Sequence, residues 1–419
     1  MDEQRLRERP WLRRWFLIQL VLEIAIMGTW TGIQDLQGGQ HLVALVQAGG
    51  LLILFLLGLW LLSRREQRLP ELGRFKRWLY RTNHYLQAII LIAFLPTILQ
   101  QALRLLAKVN VQGDAFLIGA LVIYMVMFIP MAVFALGQIQ SLLGRLLMLF
   151  FGFFDIVFST NVLTGGGLTY SHWLVTVAES GVVGALAFVV TIGIAMQCWG
   201  FSWPSIRLSK SARWWVLILI ALISVWFVIF NAFSTGDSWK NIWYAYAFHV
   251  KAPTLEMILG GIEPGIAEEW LMRFAVLGLL LQACRRFRHP VAWAVIISSL
   301  LFGLVHVTNI LGGQPALATL DQVLSAAAIG SLLAAIYLYT KSFLWPVLFH
   351  AGVDSLEFVS SGSQSMTSPS GAFDWQITLA INLVFIVAAI FLLTGKRGVT
   401  VRENFPDLTI STAKKRLKH

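Results

Sequence analysis

Apolar stretches of about 20 residues recur along this 419-residue chain and restrict the folds open to it. Such a stretch is long enough for an α-helix to cross a hydrocarbon core about 30 Å thick. A helix also pairs its own backbone polar groups, which lipid cannot do. Hydrophobic residues make up 57% of the chain and charged residues only 13%, whereas roughly 25% of the residues in soluble domains are charged. The pattern predicts an all-α, polytopic integral membrane protein.

The apolar runs predict twelve transmembrane helices. They occupy residues 15–33, 42–62, 84–104, 115–137, 142–159, 172–195, 213–233, 264–283, 291–308, 319–340, 342–360 and 375–394. The stretch 241–262 is left out, because a thirteenth span would move the basic segments after it to the outer side of the membrane. Its Trp243, Tyr244 and Tyr246 suit the headgroup region, so we expect an interfacial or re-entrant segment.

The placement of the basic residues predicts the topology. The chain has 32 lysines and arginines against 21 acidic residues, a formal net charge of +11. Most lie between apolar runs, in the segments Arg5 to Arg14, Arg64 to Arg81, Arg207 to Arg213, Arg285 to Arg288 and the tail from Lys396. Because loops rich in Lys and Arg face the cytoplasm, we expect both termini there, at the plasma membrane if the protein is bacterial. The uncharged loops are expected outside: Thr160 to Tyr170, Thr308 to Ala318 and Ser360 to Ser370.

Other classes of protein fit the sequence poorly. No basic face is interleaved with aromatic residues, so nucleic acid is not expected as a partner. Two cysteines, Cys198 and Cys284, are too few for a disulfide scaffold. Glu23 interrupts the first apolar run and no small-residue cleavage site follows it. We therefore expect a retained first span and not a signal peptide.

Three polar patterns interrupt the apolar stretches of the C-terminal half. They are Glu268-Glu269-Trp270-Leu271-Met272-Arg273, Phe302-Gly303-Leu304-Val305-His306 and His350-Ala351-Gly352-Val353-Asp354. A charged residue near the middle of a membrane helix costs roughly 2.5–3.5 kcal/mol, so such residues persist mainly where they pair or take part in chemistry. The patterns therefore predict a functional site.

The spacing within each pattern predicts how its side chains interact. Glu269 and Arg273 are four residues apart and share a helix face, which favours an ion pair. A helix starting at Pro264, where proline is favoured, would put Glu268 one turn from the positive end of the helix dipole. Asp354 could orient His350, or both could point at one oxygen. The structural alternatives are a paired cluster that only joins helices and a histidine satisfied within the core.

The order of the motifs, EExxxR, FxxxH and Hxxx(N/D), resembles the CAAX protease and bacteriocin-processing family, also called the CPBP or Abi family, of intramembrane endopeptidases. The resemblance covers about residues 250–360 and includes the settings of the last two motifs, Ser298 to Asn309 and Ser342 to His350. It implies an active site within the C-terminal helix bundle and no cofactor. The expected partners are the lipid bilayer and a peptide or membrane-protein substrate.

The resemblance also implies a role for each motif residue. Glu268 and His306 would activate the attacking water, His350 and Asp354 would stabilise the oxyanion, and Glu269 and Arg273 would support them. Asp354 departs from this scheme if it is ionised, because it would then repel the oxyanion. Met272 and Phe274 also depart from the usual Phe and Gly beside the arginine, which affects the expected packing around Arg273.

We expect three regions and keep three alternatives. Residues 1–170 form about five spans without a recognised motif, 171–395 form the protease-like region, and 396–419 form a basic cytoplasmic tail. A zinc protease could use His306, His350 and a carboxylate, although the metal-independent mechanism is favoured. Acids in other spans could serve a transporter. A non-proteolytic immunity or scaffold protein could keep the same fold. Substrate access is expected from the outer half of the bilayer.

Overall fold

The computed structural model describes residues 7–37, 41–62, 73–109, 113–165, 167–363, 369 and 371–405. Within these ranges the regular structure is helical apart from one isolated bridge between Ser234 and Tyr246. Residues 64–72, 364–368 and 406–419, together with Arg5, belong to predicted loops and tails and lie outside the described ranges. The all-α prediction is confirmed.

The chain divides into two compact units, Met1–Trp203 and Pro204–His419. The functional boundary near residue 170 stays a prediction. The helices of the first unit are α1 (Pro10–Gln37), α2 (His41–Leu62), α3 (Arg74–Lys108), α4 (Asp114–Met127), α5 (Ile129–Phe134), α6 (Leu142–Phe158), α7 (His172–Glu179) and α8 (Val182–Cys198). Amide groups of polar side chains donate to backbone carbonyls between these helices. Asn83 and Gln87 of α3, for example, donate to the carbonyls of Leu57 and Leu54 of α2 at 2.8 and 2.9 Å.

The second unit carries the three motifs. Its helices are α9 (Trp214–Phe233), α10 (Leu255–Glu269), α11 (Leu277–Ala283), α12 (Pro290–Val305), α13 (Ala316–Thr340), α14 (Leu344–Ser361), α15 (Ala372–Leu393) and α16 (Gly395–Asn404). A π-helical segment, Trp270–Val276, joins α10 to α11. Helix α13 is central, since residues 332–340 are all buried and the helix packs on α12, α14, α15 and α16.

Helix α16 occupies the start of the segment assigned to the tail. Its Gly398, Thr400, Val401 and Asn404 are buried. The Asn404 amide donates to the carbonyls of Leu338 and Tyr339 at 3.0 and 2.7 Å. These carbonyls lie in the last turn of α13, where a helix has no partners of its own. Residues 395–404 are therefore a packed part of the second unit.

Eight helical stretches are long and apolar enough to cross a membrane, or nine if α7 and α8, which are bent by 42°, form one span. That range refers to the described residues and supports a polytopic membrane protein; a count of twelve is not confirmed. Helices also form at the predicted spans 15–33, 264–283 and 342–360. The last two include α10 and α14, whose polar residues lower their hydropathy. Whether these helices span the bilayer stays a prediction.

The topology can be tested at the C-terminus. Because the basic segments are expected inside, a reporter fused after His419 should be active only as a cytoplasmic reporter. Two reporters are fused at this point: alkaline phosphatase, which is active only outside the cytoplasm, and a fluorescent protein, which fluoresces only inside it. Phosphatase activity at this terminus would contradict the predicted orientation.

Glycines bring α10 and α14 into backbone contact. A Cβ atom at Gly261 would lie 2.3 Å from the Ser355 nitrogen, and one at Gly265 would lie 2.7 Å from the Ala351 Cβ. Small residues four apart allow this close approach between membrane helices. The contact brings the first and third motifs together.

We expect Gly265→Ala to destabilise the second unit by about 1–3 kcal/mol, because the added methyl overpacks a contact between two backbones. Gly352→Ala is the matched control, since a Cβ there would lie at an ordinary 3.6 Å from Val228. Thermal unfolding in detergent compares the two variants. Equal unfolding temperatures would contradict the close-contact explanation.

Candidate active site

The first motif forms a fully buried ion pair. The Arg273 Nε donates to Glu269 Oε2 at 2.7 Å, and its Nη2 donates to Oε1 at 3.2 Å. Both side chains have 0% exposure. The predicted pairing across four residues is thus confirmed, even though Arg273 lies in the π-helical segment. Segments of this kind occur often at functional sites.

The predicted start of this helix at Pro264 is wrong. Helix α10 begins at Leu255, and the Thr254 side chain accepts a hydrogen bond from the Met257 N–H at 3.2 Å as its N-cap. Pro264 lies inside the helix and not in its first turn. Glu268 is therefore about 20 Å along the helix from its start. The dipole argument therefore does not apply to Glu268, whereas substrate access from the outer half of the bilayer stays a prediction.

The start of α10 also revises the ambiguous stretch 241–262. Its residues from 255 onward belong to α10, and those before Leu255 form turns and extended backbone. In this loop the Thr235 N–H donates a hydrogen bond to the Ala245 carbonyl at 3.0 Å. The Ala247 N–H donates to the Phe233 carbonyl at 2.9 Å. The stretch is therefore not one spanning helix, while its interfacial or re-entrant placement stays a prediction.

His350 connects the first and third motifs. Its Nδ1 lies 2.9 Å from Glu269 Oε1. On the other side of the ring, Nε2 lies 3.8 Å from Glu268 Oε2 and 3.5 Å from Asp354 Oδ2. The sequence left open whether Asp354 orients the imidazole; the short contact to the ring is made by Glu269 instead.

The side chains of this cluster become more exposed to solvent from Glu269 to Asp354. Side-chain exposure is 0% for Glu269, 12% for His350, 18% for Glu268 and 26% for Asp354. The sealed side of the imidazole therefore holds the Glu269–Arg273 pair. The Nε2 side, with Glu268 and Asp354, is the more open one and is where a substrate could reach the cluster.

The second motif adds His306 at the C-terminal end of α12. Its Nδ1 lies 2.9 Å from the Phe302 carbonyl oxygen, so this nitrogen carries the N–H and Nε2 is left as the acceptor. His306 also lies within electrostatic range of Glu268. All six residues predicted from the sequence are therefore brought together in the second unit.

Residues 250–356 match the family model described as Type II CAAX prenyl endopeptidase Rce1-like. This segment is an Rce1-like domain of the CPBP family. The predicted resemblance over about 250–360 is confirmed, and the six motif residues all fall within the match. No curated protein and no solved structure matches the chain.

Two residues of the Rce1-like domain join the site although no catalytic or supporting role was predicted for them: Phe302 of the second motif and Glu263, which lies outside the motifs. The Phe302 ring contacts Arg273, His306 and His350. Glu263 is only 8% exposed, and its Oε1 has no hydrogen-bond partner among the described atoms. The sequence did contain a signal for Glu263, because an acidic residue in an apolar stretch five residues before Glu268 is itself unusual. The contacts of Phe302 with Arg273 and His350 had no such signal, because those residues lie on other helical segments.

Metal ligation was the remaining alternative for the Rce1-like domain. Among the described residues, no three His, Cys, Asp or Glu side chains are grouped so that they could hold a metal ion.

Proposed function

We propose that this chain is an intramembrane endopeptidase that hydrolyses a peptide bond of a membrane-associated protein or peptide, with water activated by Glu268 and His306. The observation that carries the proposal is Glu268 Oε2, which is buried and has no hydrogen-bond partner among the described protein atoms. It lies beside two imidazoles in an apolar helix bundle. A carboxylate with an open acceptor next to a histidine suits general base catalysis.

In the proposed reaction, water binds between Glu268 and His306 Nε2 and loses a proton to Glu268 as its oxygen attacks the peptide carbonyl. The carbonyl oxygen then becomes an oxyanion. Glu268 passes its proton to the amine nitrogen as the C=O bond re-forms and the C–N bond breaks, which leaves a carboxylic acid and an amine; the acid then loses its proton to solvent. The His306 ring fixes the water through Nε2, because Nδ1 already donates to the Phe302 carbonyl.

His350 is proposed as the oxyanion donor. The neutral tautomer that donates from Nδ1 to Glu269 would have no proton on Nε2, so donation to an oxyanion requires the imidazolium. Three carboxylates, Glu268, Glu269 and Asp354, lie within 3.8 Å of its ring nitrogens and stabilise that charged form. Such a donor in a low-dielectric site contributes several kcal/mol. Asp354 assists in the protonated form, or else holds the imidazolium against the substrate.

The family description makes a prenylated C-terminal peptide the first substrate to test. Purified wild type, Glu268→Gln and His306→Ala are reconstituted in liposomes with prenylated and unmodified peptide libraries. Mass spectrometry then identifies new termini. We expect cleavage by the wild type alone. Equal cleavage by all three proteins would refute the catalytic assignment, and no cleavage by any would favour the scaffold or transporter alternatives.

A chelation arm tests the proposed metal-independent mechanism. The wild type is treated exhaustively with a chelator, dialysed and assayed on the same peptides. We expect activity to survive. Loss of cleavage that added zinc restores would favour the zinc alternative.

A further inference from the structure

Phe302 lies among three polar residues of the candidate site. Its ring centroid is 4.8 Å from the Arg273 guanidinium carbon, 5.2 Å from the His306 ring and 5.9 Å from the His350 ring. Both imidazoles are nearly perpendicular to it, at 82° and 79°. Phe302 itself is 3% exposed. One apolar ring therefore contacts the cation of the first motif and the histidines of the other two.

The two histidines stand on different helices, and Phe302 is a neighbour of both. It contacts His306 twice, through the ring and through the carbonyl that accepts from Nδ1 at 2.9 Å. His350 is held on α14 by Glu269 at Nδ1 and by the Phe302 ring. The distance between His306 and His350 thus depends on the size and place of this ring.

Helix α13 packs against the ring. A Cβ atom at Gly330 would lie 2.9 Å from the Phe302 Cδ1. At the next residue of α12, a Cβ at Gly303 would lie 2.5 Å from the Val323 carbonyl oxygen and 3.0 Å from the Ala327 Cβ. Helices α12 and α13 are therefore in close contact next to the ring, which leaves the ring little room to move.

We propose that Phe302, backed by Gly330, is a positioning residue that sets the separation between the water-activating side of the site and its oxyanion side. The inference rests on the proposed function. A water held at His306 must attack a carbonyl whose oxygen reaches His350, so both imidazoles must keep their places. A displacement of about 1 Å in such a site can lower the rate about 100-fold.

The first test replaces the Phe302 ring with a smaller side chain, or displaces the ring by adding a methyl group at Gly330. Phe302→Leu is expected to lower kcat about 10- to 100-fold with KM within about twofold, because both imidazoles gain freedom. Gly330→Ala is expected to lower kcat about tenfold, because the added methyl displaces the ring that contacts both histidines. Combining the two should lower kcat by less than the product of the single effects, because leucine vacates the space that the new methyl enters. Unchanged kcat in both single variants, or strictly multiplicative effects, would overturn the proposal.

Two matched variants separate positioning from general loss of packing. Phe385→Leu removes the same atoms from a phenylalanine that is 1% exposed and packs on Phe227. Gly152→Ala adds a methyl outside the motifs at an ordinary 3.7 Å from the Ile156 Cδ1. Both are expected to keep kcat near that of the wild type, although Phe385→Leu lowers the unfolding temperature. A fall in kcat for Phe385→Leu equal to that for Phe302→Leu would make the role of Phe302 merely structural.

A measurement that needs no cleavage keeps the inference separate from the proposed function. The chain has 8 histidines, which can be labelled with carbon-13 and assigned by single replacements. We expect Phe302→Leu and Gly330→Ala each to shift the His306 and His350 signals together, while Phe385→Leu shifts neither. Unmoved signals would overturn the inference whatever the activity. Shifted signals in a protein that cleaves nothing would overturn the proposed function alone.

Discussion

Glu268→Gln is expected to lower kcat for peptide cleavage by about 100- to 10,000-fold, the range that general acid–base catalysis contributes. The amide keeps the shape of the side chain but cannot accept the proton of the attacking water. Because Glu268 Oε2 makes no hydrogen bond to the described protein atoms, little folding energy should be lost. KM should therefore change far less than kcat.

Initial rates in liposomes give kcat and KM, and circular dichroism on the same samples follows unfolding. Glu256→Gln is the matched control, because Glu256 belongs to the same helix but is exposed in its first turn. It should cleave like the wild type. A Glu268→Gln protein with kcat within fivefold of the wild type would exclude Glu268 as the base.

Arg273→Met is expected to destabilise the second unit by about 3–5 kcal/mol, because it leaves the Glu269 carboxylate buried without its ion pair. Glu269 has 0% exposure and accepts two hydrogen bonds from Arg273. The same change removes the cation that packs over the Phe302 ring at 4.8 Å. Loss of activity should accompany the loss of stability.

Removing both charges should recover much of this stability. A buried ion pair replaced as a whole by apolar side chains is often neutral or stabilising, so Glu269→Leu with Arg273→Met should unfold at a higher temperature than Arg273→Met alone. Cleavage should stay low, because His350 loses its Nδ1 partner. Arg286→Met is the control, since Arg286 is exposed. Arg273→Met unfolding at the wild-type temperature would contradict the ion-pair explanation.

Interactions within one helix were the part of the site that sequence reasoning predicted well. The Glu269–Arg273 pair follows from a spacing of four residues, which places two side chains on one face whatever surrounds the helix. The same reasoning failed at Pro264, because the preference of proline for a first turn is statistical. In this helix Thr254 caps a start nine residues before the proline.

Contacts between different helices could not be predicted from the spacing of residues within one motif. Glu269 and His350 are 81 residues apart, and their contact exists because Gly261 and Gly265 let α10 approach α14. Spacing within the third motif suggested Asp354 as the partner of His350, since it was the only acid near in sequence. Burial favours Glu269 instead, because its charge is already balanced by Arg273 in a sealed position.

The membrane class, the helical architecture and the family of residues 250–356 could be predicted from the sequence, because hydropathy, backbone pairing in lipid and motif order are properties of the chain. One ion pair could be predicted in the same way. The carboxylate that holds His350 and the ring that contacts both histidines were found only in the folded protein. Those contacts depend on how closely α10, α12, α13 and α14 pack, and that distance is set by glycines whose partners lie far away in the chain.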